Sequence, residues 1–273
     1  MRNMRKREKA FTLLDLLVVI AVIAMLAASL LPALAYGKPK VRLVVCSNNL
    51  KQVGRACRTW AADHNGNMPM TVAQATGGDA EDLGNRVLGP DQTTSQGVSK
   101  MFLCMSNELS TPKILFCPAE YENAYRQAAA NFAGVAAPGA VPYTNDLNVS
   151  YFIGVDANET HPQMLLAGDH NMGGDFNPPT TAFCSAPTTY SPGYAIWLGT
   201  NWLSDKGPAF MANQHDQEGN VAFADGSVQC FNRSQFQYAL RNTGDTGRSA
   251  GMFKNATGIG PSPGPGCNRI QLP

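Results

Sequence analysis

The sequence predicts an α+β protein: a long hydrophobic N-terminal α-helix forming a spine, packed on a small antiparallel β-sheet head with loops. Three observations predict it. Phe11 to Tyr36 is a run of 26 residues with a single charge. Behind it, apolar residues recur in steps of three and four from Leu50 to Ala61, the spacing of one helix face. Near the other end, an Asp-Gly pair separates two short runs that alternate apolar and polar residues, which is a hairpin pattern.

The apolar run follows a basic leader. Arg2, Arg5, Lys6, Arg7 and Lys9 against Glu8 give the first ten residues a net charge of +4, so of the +1 total the remaining chain carries −3. By the positive-inside rule such a leader stays in the cytoplasm and the residues beyond the run lie outside it. At 1.5 Å per residue the run exceeds the hydrocarbon thickness of about 30 Å. One span is expected, at residues 11–36, with no second. With 44% hydrophobic residues the remainder can bury a core, and with 15% charged residues and a slight acidic excess it offers no basic field for nucleic acid.

Asp15 lies inside the apolar run, four residues after Phe11. A carboxylate at membrane depth costs about 2.5 to 3.5 kcal/mol on insertion scales, so such a group is read as functional and in need of a partner. A secretory signal accounts for the A-x-A site at Ala33, Leu34 and Ala35 but gives Asp15 no purpose. An uncleaved single-span anchor accounts for the length and orientation and again leaves the acid unexplained.

The stretch "KAFTLLDLLVVIAVIAMLAASLLPAL" resembles the N-terminal cleavage and methylation segment of type IV prepilins and type II secretion pseudopilins. The resemblance implies a pilin-like fold, cleavage by a prepilin peptidase between Ala10 and Phe11, and N-methylation of Phe11. It also implies a pairing of Asp15 with the terminal ammonium of a neighbouring filament subunit, and a helix kink at Pro32. Two opposite charges buried together offset a desolvation that neither sustains alone. Here Ala10 replaces the family's usual glycine and Asp15 its usual glutamate.

Residues 37–65 are expected to continue the helix amphipathically, with Leu50, Val53, Cys57, Trp60 and Ala61 on one face and a stop at Asn65, Gly66 and Pro69. Two separate helices with a hinge at "GKPK" are the alternative. Residues 66–257 are expected to form the α+β head, and 258–273 an irregular tail. Residues 70–150 read as loops around short helices, with "KILFCPAE" a strand or short apolar segment. Strands are expected at Tyr151 to Val155, Gln163 to Ala167 and Ala195 to Leu198. Asp225-Gly226 is read as a two-residue turn; it sets Phe223 opposite Val228 and Val221 opposite Cys230, and puts these four on the core face. Asn232 is expected to cap a helix "RSQFQYALRN", with Gln235 as its capping-box partner.

His215, nine intervening residues, and then Asp225-Gly226 resemble the H-x9-DG signature of a prepilin-like family abundant in planctomycete and verrucomicrobial bacteria. "ILFCPAE" and "MLLAGD" resemble its middle and late segments.

Enzymatic chemistry is not expected. A hydrolase would draw on His215 with Asp216 or Asp225, or on Asp169, His170 and Asp175, yet G-x-S-x-G and H-E-x-x-H are absent. No cofactor is expected; calcium is conceivable on oxygens of Asp169, Asp175, Asp216 or Asp225, without an EF-hand pattern, and no metal is assigned. The seven cysteines, Cys46, Cys57, Cys104, Cys117, Cys184, Cys230 and Cys267, match no metal spacing and suit a disulfide-permissive compartment. Cys46 and Cys57 stand about 16 Å apart along a helix, so neither can bridge the other. Tyr190, Tyr194, Trp197 and Trp202 read as core or subunit contact before a sugar-stacking surface.

The sequence is thus read as a pseudopilin or type IV pilin-like filament subunit. It is expected in the inner membrane as a single-pass protein, N-terminus cytoplasmic, head periplasmic or extracellular after assembly, with a type II secretion-like system as one expected setting. Its expected partners are prepilin peptidase, other copies or other pseudopilins, and membrane lipid, with no nucleic acid. The competing class is a membrane-tethered exported binding domain, for polysaccharide for example.

Overall fold

Helix α1 begins at Leu13, where Thr12 and Asp15 close its first turn, and extends to Asp63, 51 residues in all. The computed structural model describes residues 12–83, 96–122, 125–134, 138–173, 195–200, 207–245, 251–253 and 268–273. The chain divides into two units, Met1–Val41 and Arg42–Pro273, and α1 contributes to both.

In the first unit, Leu13–Pro32 is one helix long and apolar enough to cross a membrane, and none of it is buried against protein. Its leucines, valines and isoleucines all face outward. Pro32 and Pro39 both lie inside α1, where they withhold a hydrogen bond from the carbonyls of Ala28 and Ala35. The helix includes Gly37 and Pro39, so "GKPK" does not separate two helices.

In the second unit, α1 buries Leu50, Val53, Cys57, Trp60 and Ala61, the stripe expected from the sequence, and also Cys46 one turn before Leu50. It stops as expected: Asn65 and Gly66 adopt positive φ, and the Gly66 N–H bonds the Ala61 carbonyl at 2.8 Å, a Schellman-type closure. The short helices α2 (Gly97–Cys104) and α3 (Ser106–Leu109) follow, with 3₁₀ turns at Pro112–Leu115 and Pro118–Glu122. "KILFCPAE" is therefore two 3₁₀ turns around Cys117 and contains no strand.

The described strands of the main sheet are β1 (Tyr151–Gly154), β2 (Leu165–Asp169), β4 (Ala195–Trp197), β6 (Gly219–Phe223), β7 (Val228–Phe231), β8 (Gly251–Phe253) and β9 (Arg269–Gln271). Their order is β7-β6-β2-β1-β9-β4-β8, every pair antiparallel. A separate ribbon pairs β3 (Met172–Gly173) with β5 (Ala209–Phe210), followed by α4 (Ala212–His215). One face of the sheet, with Tyr151, Ile153, Leu166 and Ala222, shares a core with Leu50, Val53 and Trp60 of α1. The other face, with Phe152, Val221, Phe223 and Ile270, packs with Phe236 and Leu240 of α5 (Arg233–Arg241). Alternation along the strands divides each between two cores.

Helix α5 carries the expected capping box between Asn232 and Gln235. The preceding hairpin departs from expectation by one residue. Phe223 N–H bonds the Ser227 carbonyl at 2.9 Å, and Gly226, at φ 83°, lies in the left-handed region. Ala224, Asp225 and Gly226 thus form a three-residue loop, the kind closed by a left-handed glycine. The register becomes Ala222 opposite Val228 and Asn220 opposite Cys230. A one-residue slip exchanges faces, and so Cys230 is exposed while Val221 and Phe223 remain buried.

The tail is not irregular where it is described. Arg269–Gln271 forms β9 between β1 and β4, well inside the sheet, and all three residues are buried. Ile270 joins the apolar face, and Arg269 makes a two-point contact with Asp156 through its Nε and Nη2. A buried arginine is tolerated here because its charge has a bidentate partner.

Candidate functional site

At the start of α1, Thr12 and Asp15 form a reciprocal cap. Asp15 Oδ2 accepts from Thr12 N at 3.0 Å and Thr12 Oγ1 at 2.7 Å, and Asp15 N donates back to Thr12 Oγ1 at 3.2 Å. This is a capping box with aspartate in the third helical position, and a negative charge there also suits the positive helix end. Thr12 is not among the residues expected from the sequence, although T-x-x-D before an apolar run carries that signal. The side chain is shorter than glutamate by one methylene and still reaches its own cap. Ala10 and Phe11 lie outside the described residues.

A second constellation lies in the head. Cys46 of α1, Cys117 between the two 3₁₀ turns, Asp169 at the end of β2 and His215 at the end of α4 are all buried, with one donor atom of each inside 4.8 Å of the others. Cys46 Sγ stands 2.6 Å from Cys117 Sγ, which stands 3.3 Å from His215 Nε2. His215 Nε2 is 3.6 Å from Asp169 Oδ2, and that oxygen accepts from Asn220 N at 2.7 Å and Asn220 Nδ2 at 3.0 Å. Asn220 Nδ2 also donates to the Leu43 carbonyl of α1 at 3.2 Å.

Burial pushes the Asp169 carboxyl up to about 7 and the His215 imidazole down to about 4. Between those values both are neutral, so their contact is not an ion pair. The Cys117 thiol is raised by its contact with Cys46 and by burial. Asp169 Oδ1 and His215 Nδ1 are buried without a hydrogen-bond partner among the described residues.

Beside this group, Glu120 accepts from Ser150 Oγ and contacts His170 Nε2 at 2.9 Å and Arg126 Nε at 3.6 Å. Ser150 Oγ in turn accepts from the Cys117 N–H at 2.9 Å. Arg126 donates to the carbonyls of Asp146, Val149 and Pro273. Burial raises Glu120 and depresses His170 and Arg126. The network binds the Cys117 turn, β1 and the C-terminal residues together.

Of the H-x9-DG residues, His215 belongs to the buried group whereas Asp225 is exposed at the hairpin tip. Arg58 Nη1 of α1 donates to the Asp225 carbonyl at 3.0 Å, and Asp225 Oδ1 accepts from Ser227 N at 2.8 Å. Asp216 is an exposed turn residue at φ 53°. The oxygen set considered for calcium is therefore not assembled by Asp169, Asp216 and Asp225, and Asp175 lies outside the described residues, as do Tyr190, Tyr194 and Trp202. The metal-competent group found instead has two sulfurs, one nitrogen and one oxygen, a donor set suited to a softer divalent ion such as zinc. The cysteine spacings gave no sign of it, because its members come from four separate segments.

Residues 5–31 match the prokaryotic N-terminal methylation motif, a range that takes in Ala10, Phe11 and Asp15. This supports a type IV pilin-like, prepilin-processed protein, and the apolar helix is compatible with a single-pass membrane anchor. No curated protein and no solved structure matches the chain.

Proposed function

We propose that the protein is a structural subunit of a type IV pilin-like filament, a pseudopilin in the broad sense. Prepilin peptidase cleaves it after Ala10 and methylates Phe11, and the subunit assembles through its apolar helix. The observation that carries this reading is the methylation motif at residues 5–31 lying over an outward-facing apolar helix that holds one acid, Asp15. The leader is cytoplasmic, the head is outside the inner membrane, and the head's role is contact with other subunits rather than catalysis. The H-x9-DG residues are structural in this reading: Gly226 admits the tight hairpin loop, Asp225 presents its carbonyl to Arg58, and His215 fills the buried group.

In the single chain Asp15 is satisfied by Thr12. In the filament its remaining acceptor capacity meets the methylated ammonium of a neighbour. Asp15→Asn keeps the cap acceptor and removes the charge, so membranes carrying the variant should yield few cross-linked oligomers. Thr12→Ala, which weakens the cap and keeps the charge, should leave them. Oligomers undiminished in Asp15→Asn would contradict the pairing.

A further inference from the structure

We propose that Cys46 and Cys117 are joined by a disulfide in the exported protein, a covalent staple between helix α1 and the turn that leads into the sheet, with the His215 ring packed against it. The inference rests on the export of the head argued above.

The sulfurs stand 2.6 Å apart, inside the contact distance of two unbonded sulfurs. Two thiolates on one tetrahedral zinc stand about 3.8 Å apart, since each lies about 2.3 Å from the ion. Bonded sulfurs stand about 2.0 Å apart. The observed separation is nearer the bonded value by a factor of two, so the Cys46–Cys117 half of the cluster fits a disulfide better than a metal. Both side chains are fully buried, which excludes water and keeps them from other thiols once the head has folded.

The chemistry balances with a disulfide-bearing thiol oxidase of the exported compartment as oxidant. One cysteine thiolate attacks the oxidase disulfide, giving a mixed disulfide and releasing one oxidase thiol. The second cysteine attacks that mixed disulfide, closing Cys46–Cys117 and releasing the other oxidase thiol. Two electrons and two protons pass to the oxidase. Because neither sulfur is reachable in the folded head, the exchange occurs before α1 seats on the sheet. Cys46 lies five residues beyond Val41, the last residue of the first unit, so the bond fastens α1 where it enters the head. Load on the membrane helix of an assembled subunit would reach the head through a covalent link.

The test uses the full chain taken from membranes into denaturant containing N-ethylmaleimide, so that buried thiols are also trapped, then digested with trypsin without reductant. Cleavage isolates each cysteine: Cys46 in residues 43–51 and Cys117 in residues 114–126. The expected species is the two peptides joined, two hydrogens lighter than their sum, and separated by reductant. In parallel, a membrane-impermeant amine reagent is applied to intact spheroplasts to label the head lysines Lys100 and Lys113. Alkylated Cys46 and Cys117 in a head that labels from outside overturn the disulfide alone. Alkylated cysteines in a head that labels only after lysis overturn the disulfide and the export reading together. One zinc per chain in the natively purified protein, with both thiols alkylated on unfolding, overturns it in favour of a metal.

Discussion

Arg58 of α1 holds the backbone carbonyl of Asp225 at 3.0 Å, fixing the tip of the β6–β7 hairpin against the helix. Gly226 is left-handed, and a Cβ there would lie 2.4 Å from the guanidinium. Gly226→Ala is predicted to destabilise the head by about 1 to 2 kcal/mol, through backbone strain and loss of the Arg58 bond. Placed in an Arg58→Ala background, the same change should do less harm, because the bond is already gone. Urea unfolding of the four proteins in detergent checks this; additive effects would contradict the coupling.

Arg269 and Asp156 form a buried pair that draws the final residues into the sheet. Removing one partner of such a pair leaves a buried charge, and Asp156→Ala should destabilise by about 3 to 5 kcal/mol. Replacing both, as Asp156→Leu with Arg269→Met, should recover much of the loss. Limited proteolysis of the C-terminal residues gives a second readout, faster in Asp156→Ala.

The Cys46–Cys117 link closes a loop of 71 residues, for which chain entropy corresponds to about 4 kcal/mol at 25 °C. Cys46→Ser and Cys117→Ser should each lower stability by that order, and the double variant by little more than either. Reductant should narrow the difference between wild type and variants only where the chain is unfolded, because the sulfurs are buried.

Asp169 supplies a pH dependence of definite sign. Its carboxyl is raised from 3.8 to about 7 by burial, so the native state holds the proton more tightly than the unfolded chain. Native stability from this group declines as pH rises from about 4 to about 7. His215, lowered from 6.5 to about 4, acts in the opposite direction, withdrawing stability as pH falls through that window. Asp169→Asn removes the first effect and leaves the second. Its stability relative to wild type should therefore rise between pH 5 and pH 8 in urea titrations, and a constant difference would count against a buried acid at this position.

What could be read from the sequence was local. The span needed only composition, the α1 stripe only its spacing, and the α5 cap only Asn232 and Gln235. Strands β1, β2 and β4 lay within a residue or two of expectation because glycine, proline, asparagine and aspartate bound them. The hairpin register was not legible: Asp-Gly serves both a two-residue turn and the last two positions of a three-residue loop, and Arg58, distant in sequence, helps hold the second. Strand β9 was hidden for a related reason, since "RIQ" becomes buried only once Asp156 neutralises Arg269. The buried group of Cys46, Cys117, Asp169 and His215 is assembled by tertiary packing alone. Thr12 is different, because T-x-x-D before an apolar run is itself a local capping signal, separate from the charge on Asp15.

The most direct measurement is the mass of the mature N-terminal peptide of protein taken from its native membrane. A chain beginning at N-methylated Phe11 is predicted, and it would give Asp15 the ammonium partner that filament assembly requires. An intact leader would reduce α1 to an anchor, and a start at Tyr36 would make the head a secreted protein. Either result would contradict the pilin-like subunit.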